Sequence, residues 1–286
     1  MSGSAQTDWP LSDVSRHVFC EPHRWYVVET GKGPTLLLLH GAGSSSHSFR
    51  HLIPILSKSY HVVAFDLPGQ GQTQLGARHR CGLDAMSADC ATLIKHERWD
   101  ITAIIGHSAG AVLALQLSQN IKSLPIVIGI NPALDNFRGL AGILYPVIAK
   151  ALSLTPGVPY FFSRTSNNPR RVKTLIDGTG SRIDSEGLEY YRRLMSNRDH
   201  VNGTLLMMSQ WPVGGLQSRW PEFTAPTLLL AAENDKTVSP SVARAAARQI
   251  PQATFWSLKN LGHLAHEEEA DTVATHILKF LEISLA

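Results

Sequence analysis

Three side chains far apart in the chain have the types needed for acyl transfer at a carbonyl carbon. Ser108 stands in Gly106-His107-Ser108-Ala109-Gly110, a G-x-S-x-G pattern. A serine hydroxyl is a weak nucleophile at neutral pH. It attacks only when a neighbouring base takes its proton, and the base needs an acid to orient it. Asp235, in Glu233-Asn234-Asp235-Lys236-Thr237-Val238, and His263, in Leu261-Gly262-His263, follow in the order serine, acid, histidine. Relays of this kind are built in that chain order when the serine sits on a strand–turn–helix elbow. Glu233 is a nearby substitute for the acid, and His266 competes with His263. His263 is preferred because it follows Gly262 just after an apolar run, whereas His266 falls at the start of the last helix. The competing structural roles are a helix-capping serine, a turn-capping aspartate and a surface histidine.

Attack on a carbonyl also throws negative charge onto its oxygen. His40-Gly41-Ala42-Gly43 follows an apolar run. The backbone N–H groups of Ala42 and of Ala109, the residue after the serine, are the expected donor pair. Asp66-Leu67-Pro68-Gly69-Gln70-Gly71 reads as a tight structural turn that shapes the site wall. No phosphate-binding loop pattern is present. No group of His, Cys and Asp has metal-ligand spacing, so neither a metal nor a cofactor is expected.

These residues must be held by something rigid. Arg24 to Thr30 alternates like a strand. Pro34–Leu39, Tyr60–Phe65, Ile101–Ile105, Pro125–Ile130 and Thr227–Ala232 are short continuous apolar runs, as in strands buried on both faces, and Thr254–Leu258 reads as a last strand. Helical patterns lie at Phe49–Leu56, Gly82–Trp99, Ala109–Gln119, Ser239–Gln249 and Asp271–Leu281, with Ser239 as an N-cap and Pro240 in the first turn. Strands alternating with helices predict a mostly parallel sheet covered on both faces. Such sheets bind ligands beyond the carboxyl ends of their strands, where Ser108, Asp235 and His263 all fall.

Leu134 to Pro212 breaks the rhythm: helical segments interrupted by prolines, too long for a loop in a compact domain. It reads as a helical cap over the strand ends. It holds ten Lys/Arg against six Asp/Glu, so the positive balance of the chain (+3 overall) sits there. That charge suits a solvated surface or an anionic ligand, and without a block of like charges it does not suggest nucleic acid. The cap is also apolar and aromatic. Such residues serve as cap core, or as the wall of a site for a large apolar small molecule, with Phe137, Tyr145, Phe161, Met207, Met208 and Trp211 as candidate substrate contacts. Arg164, Arg170, Arg171, Arg192 and Arg193 could meet carboxylates of that ligand, and a tetrapyrrole with propionates has both properties.

The 286 residues are 43% hydrophobic and only 17% charged, which excludes a disordered chain. Cys20, Cys81 and Cys90 are odd in number with no paired spacing, as expected for free thiols in a reducing compartment. No apolar signal core opens the chain and no run is long enough to span a membrane. The expected location is cytoplasmic, with the apolar stretch 139–162 able to touch a membrane surface.

The motifs resemble the α/β-hydrolase family over nearly the whole chain, in the family's order: the His40 loop, the Asp66 turn, the Gly106–Gly110 elbow, Asp235 and Gly262-His263. The resemblance implies an α/β fold with a mostly parallel eight-stranded sheet flanked by helices and a cap inserted after strand six. It divides the chain into core 1–133, cap 134–212 and core 213–286. The chain departs from the family at Glu233, where a glycine often precedes the acid, and at Thr73, where serine is usual. Its serine sets it apart from haloalkane dehalogenases and epoxide hydrolases, which use an aspartate nucleophile.

More specific stretches are Gly139-Leu140-Ala141-Gly142, Leu175-Ile176-Asp177-Gly178-Thr179-Gly180-Ser181 and Met207-Met208-Ser209-Gln210-Trp211, with Trp9-Pro10 and Gly262-His263-Leu264-Ala265-His266-Glu267-Glu268. These resemble the magnesium-chelatase accessory protein family of bacteriochlorophyll biosynthesis. That resemblance implies a role beside the enzyme that inserts magnesium into protoporphyrin, with transient contact to the chelatase. Two functions are therefore expected to compete: a serine hydrolase acting on an apolar ester, and a non-catalytic tetrapyrrole-binding or chelatase-assisting protein.

Overall fold

The computed structural model describes residues 8–135 and 168–286. Eight strands form one sheet: β1 (Ser15–Cys20), β2 (His23–Thr30), β3 (Thr35–Leu39), β4 (His61–Phe65), β5 (Ile101–His107), β6 (Ile126–Ile130), β7 (Thr227–Ala232) and β8 (Ala253–Leu258). Their order is β1-β2-β4-β3-β5-β6-β7-β8. β2 runs antiparallel to both β1 and β4, and all other pairs are parallel.

The described helices are α1 (Leu52–Leu56), α2 (Leu83–Glu97), α3 (Ala109–Ser118), α4 (Pro169–Gly178), α5 (Ser185–Ser196), α6 (Arg198–Ser209), α7 (Gly214–Gln217), α8 (Pro240–Ala247), α9 (Ala265–Glu268) and α10 (Ala270–Leu285). The apolar runs exist because alternate residues of each strand face opposite layers, and both layers are filled. Leu37, Leu39, Val63, Phe65, Ile104 and Leu229 pack with α2, α3 and α8 on one side. Leu36, Leu38, Val62, Ile105, Ile128 and Leu230 pack with α1 and α10 on the other. α3 is buried along its whole length. Ser239 caps α8 by accepting the Ser241 N–H, with Pro240 at the first position.

β1 carries no continuous apolar signal. It pairs with β2 alone, at the sheet's edge, and Phe19 points outward with 67% exposure. A strand covered on one side only need not be apolar throughout.

The chain leaves β3 toward β4 on one side, and β5 returns on the other side of β3. This reversal opens a crevice beyond the ends of β3 and β5. Described residues of the insertion between β6 and β7, among them Ile176, Tyr191, Val201 and Met207, line the cavity at that crevice. The insertion's described part is helical: α4, α5 and α6, each N-capped by a side chain, Asn168, Asp184 and Asn197.

Candidate active site

Ser108 is the single residue between β5 and α3. Its backbone sits at φ 53°, ψ −116°, a strained conformation that lifts the side chain off the sheet. The flanking glycines are a steric requirement. A Cβ on Gly106 would lie 2.3 Å from the Gly110 carbonyl oxygen, and one on Gly110 would lie 2.2 Å from that of Leu39. The Ser108 hydroxyl is 3.0 Å from His263 Nε2. His263 Nδ1 is 2.7 Å from Asp235 Oδ2. Asp235 Oδ1 accepts the N–H groups of Thr237 at 2.7 Å and Val238 at 2.8 Å. With the carboxylate facing Nδ1, that nitrogen carries the ring proton and Nε2 presents its lone pair to the serine.

The competing groups lie elsewhere. Glu233 accepts the Ser257 hydroxyl at 2.9 Å on the surface. His266 is buried in the short helix α9, its ring 4.4 Å from that of His107 and 5.1 Å from that of Phe49. Burial pushes its pKa down to about 3.

Two residues not singled out from the sequence hold the histidine loop. Asn131 follows β6 at φ 46° and is buried. Its amide nitrogen donates to the carbonyls of Gly262 (2.9 Å) and His263 (2.8 Å), and its oxygen accepts the Ala232 N–H at 2.7 Å. His107 Nε2 donates to the same His263 carbonyl at 2.8 Å. The available signal was an asparagine directly after a buried strand, on the edge that carries the other site residues.

The loop after β3 is braced from several directions. His40 Nε2 accepts the Leu67 N–H at 2.9 Å, so its Nδ1–H donates to the Gly41 carbonyl at 2.8 Å. Gly43 N–H donates to Gln70 Oε1 at 2.7 Å. From the cap, His200 Nδ1 accepts the Gly71 N–H at 2.9 Å, and its Nε2 lies 3.3 Å from the Gly43 carbonyl. Both rings are neutral: burial pushes His40 to about 3 and His200 to about 4. The Asp66 carboxylate ties the turn together by accepting the N–H groups of Ser46 (2.7 Å) and Gln72 (2.8 Å), while burial raises its pKa to about 6. Ala42 and Ala109 line the same cavity as Ser108, as an oxyanion-binding pair requires.

That cavity has a volume of about 1080 Å³. Met207, Met208 and Trp211 line it. Phe137, Tyr145, Phe161 and Arg164 lie outside the described residues. Among the described lining residues there is no lysine or arginine. The other cap arginines named above are not among those lining residues: Arg170 and Arg171 are exposed on α4, Arg192 pairs with Glu189 at 2.6 Å, and Arg193 pairs with Asp8 at 3.0 Å. No group of three or more His, Cys, Asp or Glu suited to a metal occurs among the described residues.

Cap and core also share a buried polar network. Arg50, at the foot of α1, binds Glu267 of α9 and, at 3.2 Å, Asp184 at the start of α5. Tyr191 of α5 donates to Glu267 at 2.7 Å, and its hydroxyl lies 3.2 Å from that of Ser44. Burial raises the Glu267 pKa to about 7, against the opposing pull of Arg50.

Comparison with known proteins adds three findings. The sequence profile described as "Alpha/beta hydrolase family" matches residues 36–276. The magnesium-chelatase 30 kDa subunit of Rhodobacter capsulatus is 42% identical over 277 residues, covering 96% of this chain and 97% of that protein. Two solved structures share the fold: epoxide hydrolase CorEH, with TM-score 0.78, 21% identity and coverage of 94% and 98% of the two chains, and a thermophilic esterase from Thermogutta terrifontis, with TM-score 0.75, 22% identity and the same coverage.

Proposed function

The chain belongs to the alpha/beta hydrolase family and, within it, to the family of the magnesium-chelatase 30 kDa subunit, and from that premise we propose that it is a serine hydrolase acting on an apolar ester. The observation that carries this reading is the continuous relay Ser108–His263–Asp235, at 3.0 and 2.7 Å. Ser108 Oγ attacks the ester carbonyl while His263 Nε2 takes its proton. Asp235 keeps the ring in the tautomer that can accept it and stabilises the imidazolium. The N–H groups of Ala42 and Ala109 receive the oxyanion. His263 returns the proton to the departing alkoxide, leaving an acyl-serine, and water then repeats the sequence.

The cavity supports a large substrate held by Met207, Met208 and Trp211. A tetrapyrrole ester is such a substrate. The likeness to the Rhodobacter subunit supports work at the magnesium-chelatase step of bacteriochlorophyll biosynthesis, with transient contact to the chelatase. The Leu134–Pro212 cap would then be the substrate-selecting unit, and the location cytoplasmic. No helix of the described residues is long and apolar enough to cross a membrane.

The relative's designation as a chelatase subunit favours a second reading, a protein that binds a tetrapyrrole or assists the chelatase without turnover. One substitution separates the two. Ser108→Ala is expected to abolish labelling by a fluorophosphonate probe and hydrolysis of p-nitrophenyl esters, and to fail to restore pigment to a strain lacking the protein. Full pigment rescue by the variant would select the binding role. Equal labelling of variant and wild type would remove Ser108 from the chemistry.

A further inference from the structure

The stretch Thr179-Gly180-Ser181 follows α4 and belongs to the cap by sequence. Thr179 lines the cavity, and the segment also packs against the two loops that carry Asp235 and His263. The Thr179 carbonyl accepts the Lys236 N–H at 3.0 Å and the His263 N–H at 3.4 Å. The Ser181 hydroxyl accepts the Leu264 N–H at 2.7 Å. The Glu268 carboxylate spans the seam, taking the Gly262 N–H at 2.8 Å on one oxygen and the Arg182 N–H at 3.1 Å on the other.

Packing here is as close as main chain allows. Gly180 stands at φ +86°, and a Cβ on it would lie 2.0 Å from the Asn234 carbonyl oxygen. A Cβ on Gly262 would lie 2.3 Å from the Gly180 carbonyl carbon. Two facing glycines thus let cap backbone touch, at once, the residue before Asp235 and the residue before His263. Ser181 is 1% exposed, so the N–H it accepts has no water to turn to. A substrate roof needs none of these contacts.

We propose that Thr179–Ser181 is a strut that sets the distance between the Asp235 and His263 loops, with Ser181 as a positioning residue for His263. The inference rests on the serine-hydrolase reading of the site. It makes the cap part of the base–acid pair: the strut fixes the main chain on both sides of the 2.7 Å contact between His263 and Asp235. It also gives the Thr-Gly-Ser sequence at 179–181 a physical reason, since a side chain at position 180 or a missing hydroxyl at 181 would let the loops part.

The test compares Ser181→Ala and Gly180→Ala with Gly178→Ala, whose added Cβ meets nothing within 4 Å. With a p-nitrophenyl ester, Ser181→Ala should lower kcat about tenfold with KM within twofold, since small misplacements near reacting groups cost about that much or more. The acid limb of its kcat/KM profile should shift, because the Asp235–His263 contact helps set the base. Gly180→Ala should lose more, and Gly178→Ala should behave as wild type. Hydrogen exchange read without any substrate should show faster exchange of the Leu264 and Lys236 amides in Ser181→Ala.

If Ser181→Ala keeps the wild-type kcat, pH limb and exchange rates, the strut is wrong, whether or not Gly180→Ala folds. If wild type neither turns over esters nor reacts with fluorophosphonate, the hydrolase reading fails instead. The exchange of the Leu264 and Lys236 amides then still decides the strut.

Discussion

The floor of the site and its roof are held by different forces. The floor is the row of carboxyl ends of β3, β5, β6 and β7. Its strands contribute side chains with almost no exposure, from Leu36–Leu39 to Leu228–Ala232. Ser108 is placed there by backbone contacts that only glycine permits and by its own N–H bonding the Ile130 carbonyl at 3.0 Å. The roof, α5 and α6, adds a modest apolar contact through Tyr190, Leu194, Leu206 and Met207. It is also tied by directional links: His200 on Gly71 and Gly43, and Tyr191 with Asp184 on the Arg50–Glu267 pair. Burial is spread over many atoms and survives the loss of any one. Directional links can be cut singly.

Acid should separate the two regions most strongly, because neutral imidazoles cluster where they meet. Burial holds His40 near 3, His200 near 4 and His266 near 3, and His47 and His107 well below the ordinary histidine value. Unfolded histidine titrates near 6.5, so the stability these five contribute is complete above about 6.5 and is lost as pH falls toward their folded values. Asp66 and Glu267 oppose this. Their folded values, about 6 and about 7, lie above the ordinary 3.8 and 4.5, so they return stability as pH falls through that interval. The five histidines outnumber the two carboxyl groups, so these seven groups together lower stability as the pH falls from 7 to 5. Urea unfolding between pH 7 and 5 measures it. His200→Gln should reduce the slope by about one proton, about 1.4 kcal/mol per pH unit. A flat profile would mean the seam is wetter than its packing implies.

The Arg50 network gives the next largest effect. Arg50→Ala strands the fully buried Glu267 without its cation, which typically costs about 3–5 kcal/mol. Asp184→Asn cuts the outer arm of the same network, where the carboxylate is half exposed, and should cost under about 1 kcal/mol. Thermal denaturation of both variants checks the ratio. Similar losses from the two would contradict the view that the roof hangs on the buried part of the network.

The same contrast explains what could be read from the sequence. Strands β3 to β7 announce themselves because two-sided burial demands unbroken apolar runs. β1 does not, since an edge strand with Arg16 and Phe19 exposed on opposite faces satisfies no period strongly. Ser108, Asp235 and His263 stand out because each follows a recognisable strand, and the structure brings the three side chains together. Asn131 and His200 were silent because their roles exist only after folding: Asn131 binds Ala232 and His263, 101 and 132 positions away. For the cap, composition gave apolar character but not orientation. None of the described arginines named as carboxylate partners is among the cavity's lining residues, and Arg192 and Arg193 pair with Glu189 and Asp8.

Asn131 is where the floor departs from its own rule, because one side chain supplies a directional link to three main-chain groups. Asn131→Ala should cost about 1–3 kcal/mol of stability, the range for leaving buried polar groups unpaired. If its only task were structural, ester hydrolysis at saturating substrate would scarcely change in the folded fraction. If it sets His263, kcat should fall about 10-fold or more at constant KM, as expected when a base drifts by a fraction of an ångström. Asn131→Asp sharpens the distinction because the shape is kept while the donor is lost. At neutral pH a carboxylate oxygen would then face the Gly262 and His263 carbonyls, so this variant should be worse than alanine. It should recover in part as the pH falls and the new acid gains a proton to donate. Equal damage from Asp and Ala at every pH would make volume, rather than the donated hydrogen bonds, the property that matters at position 131.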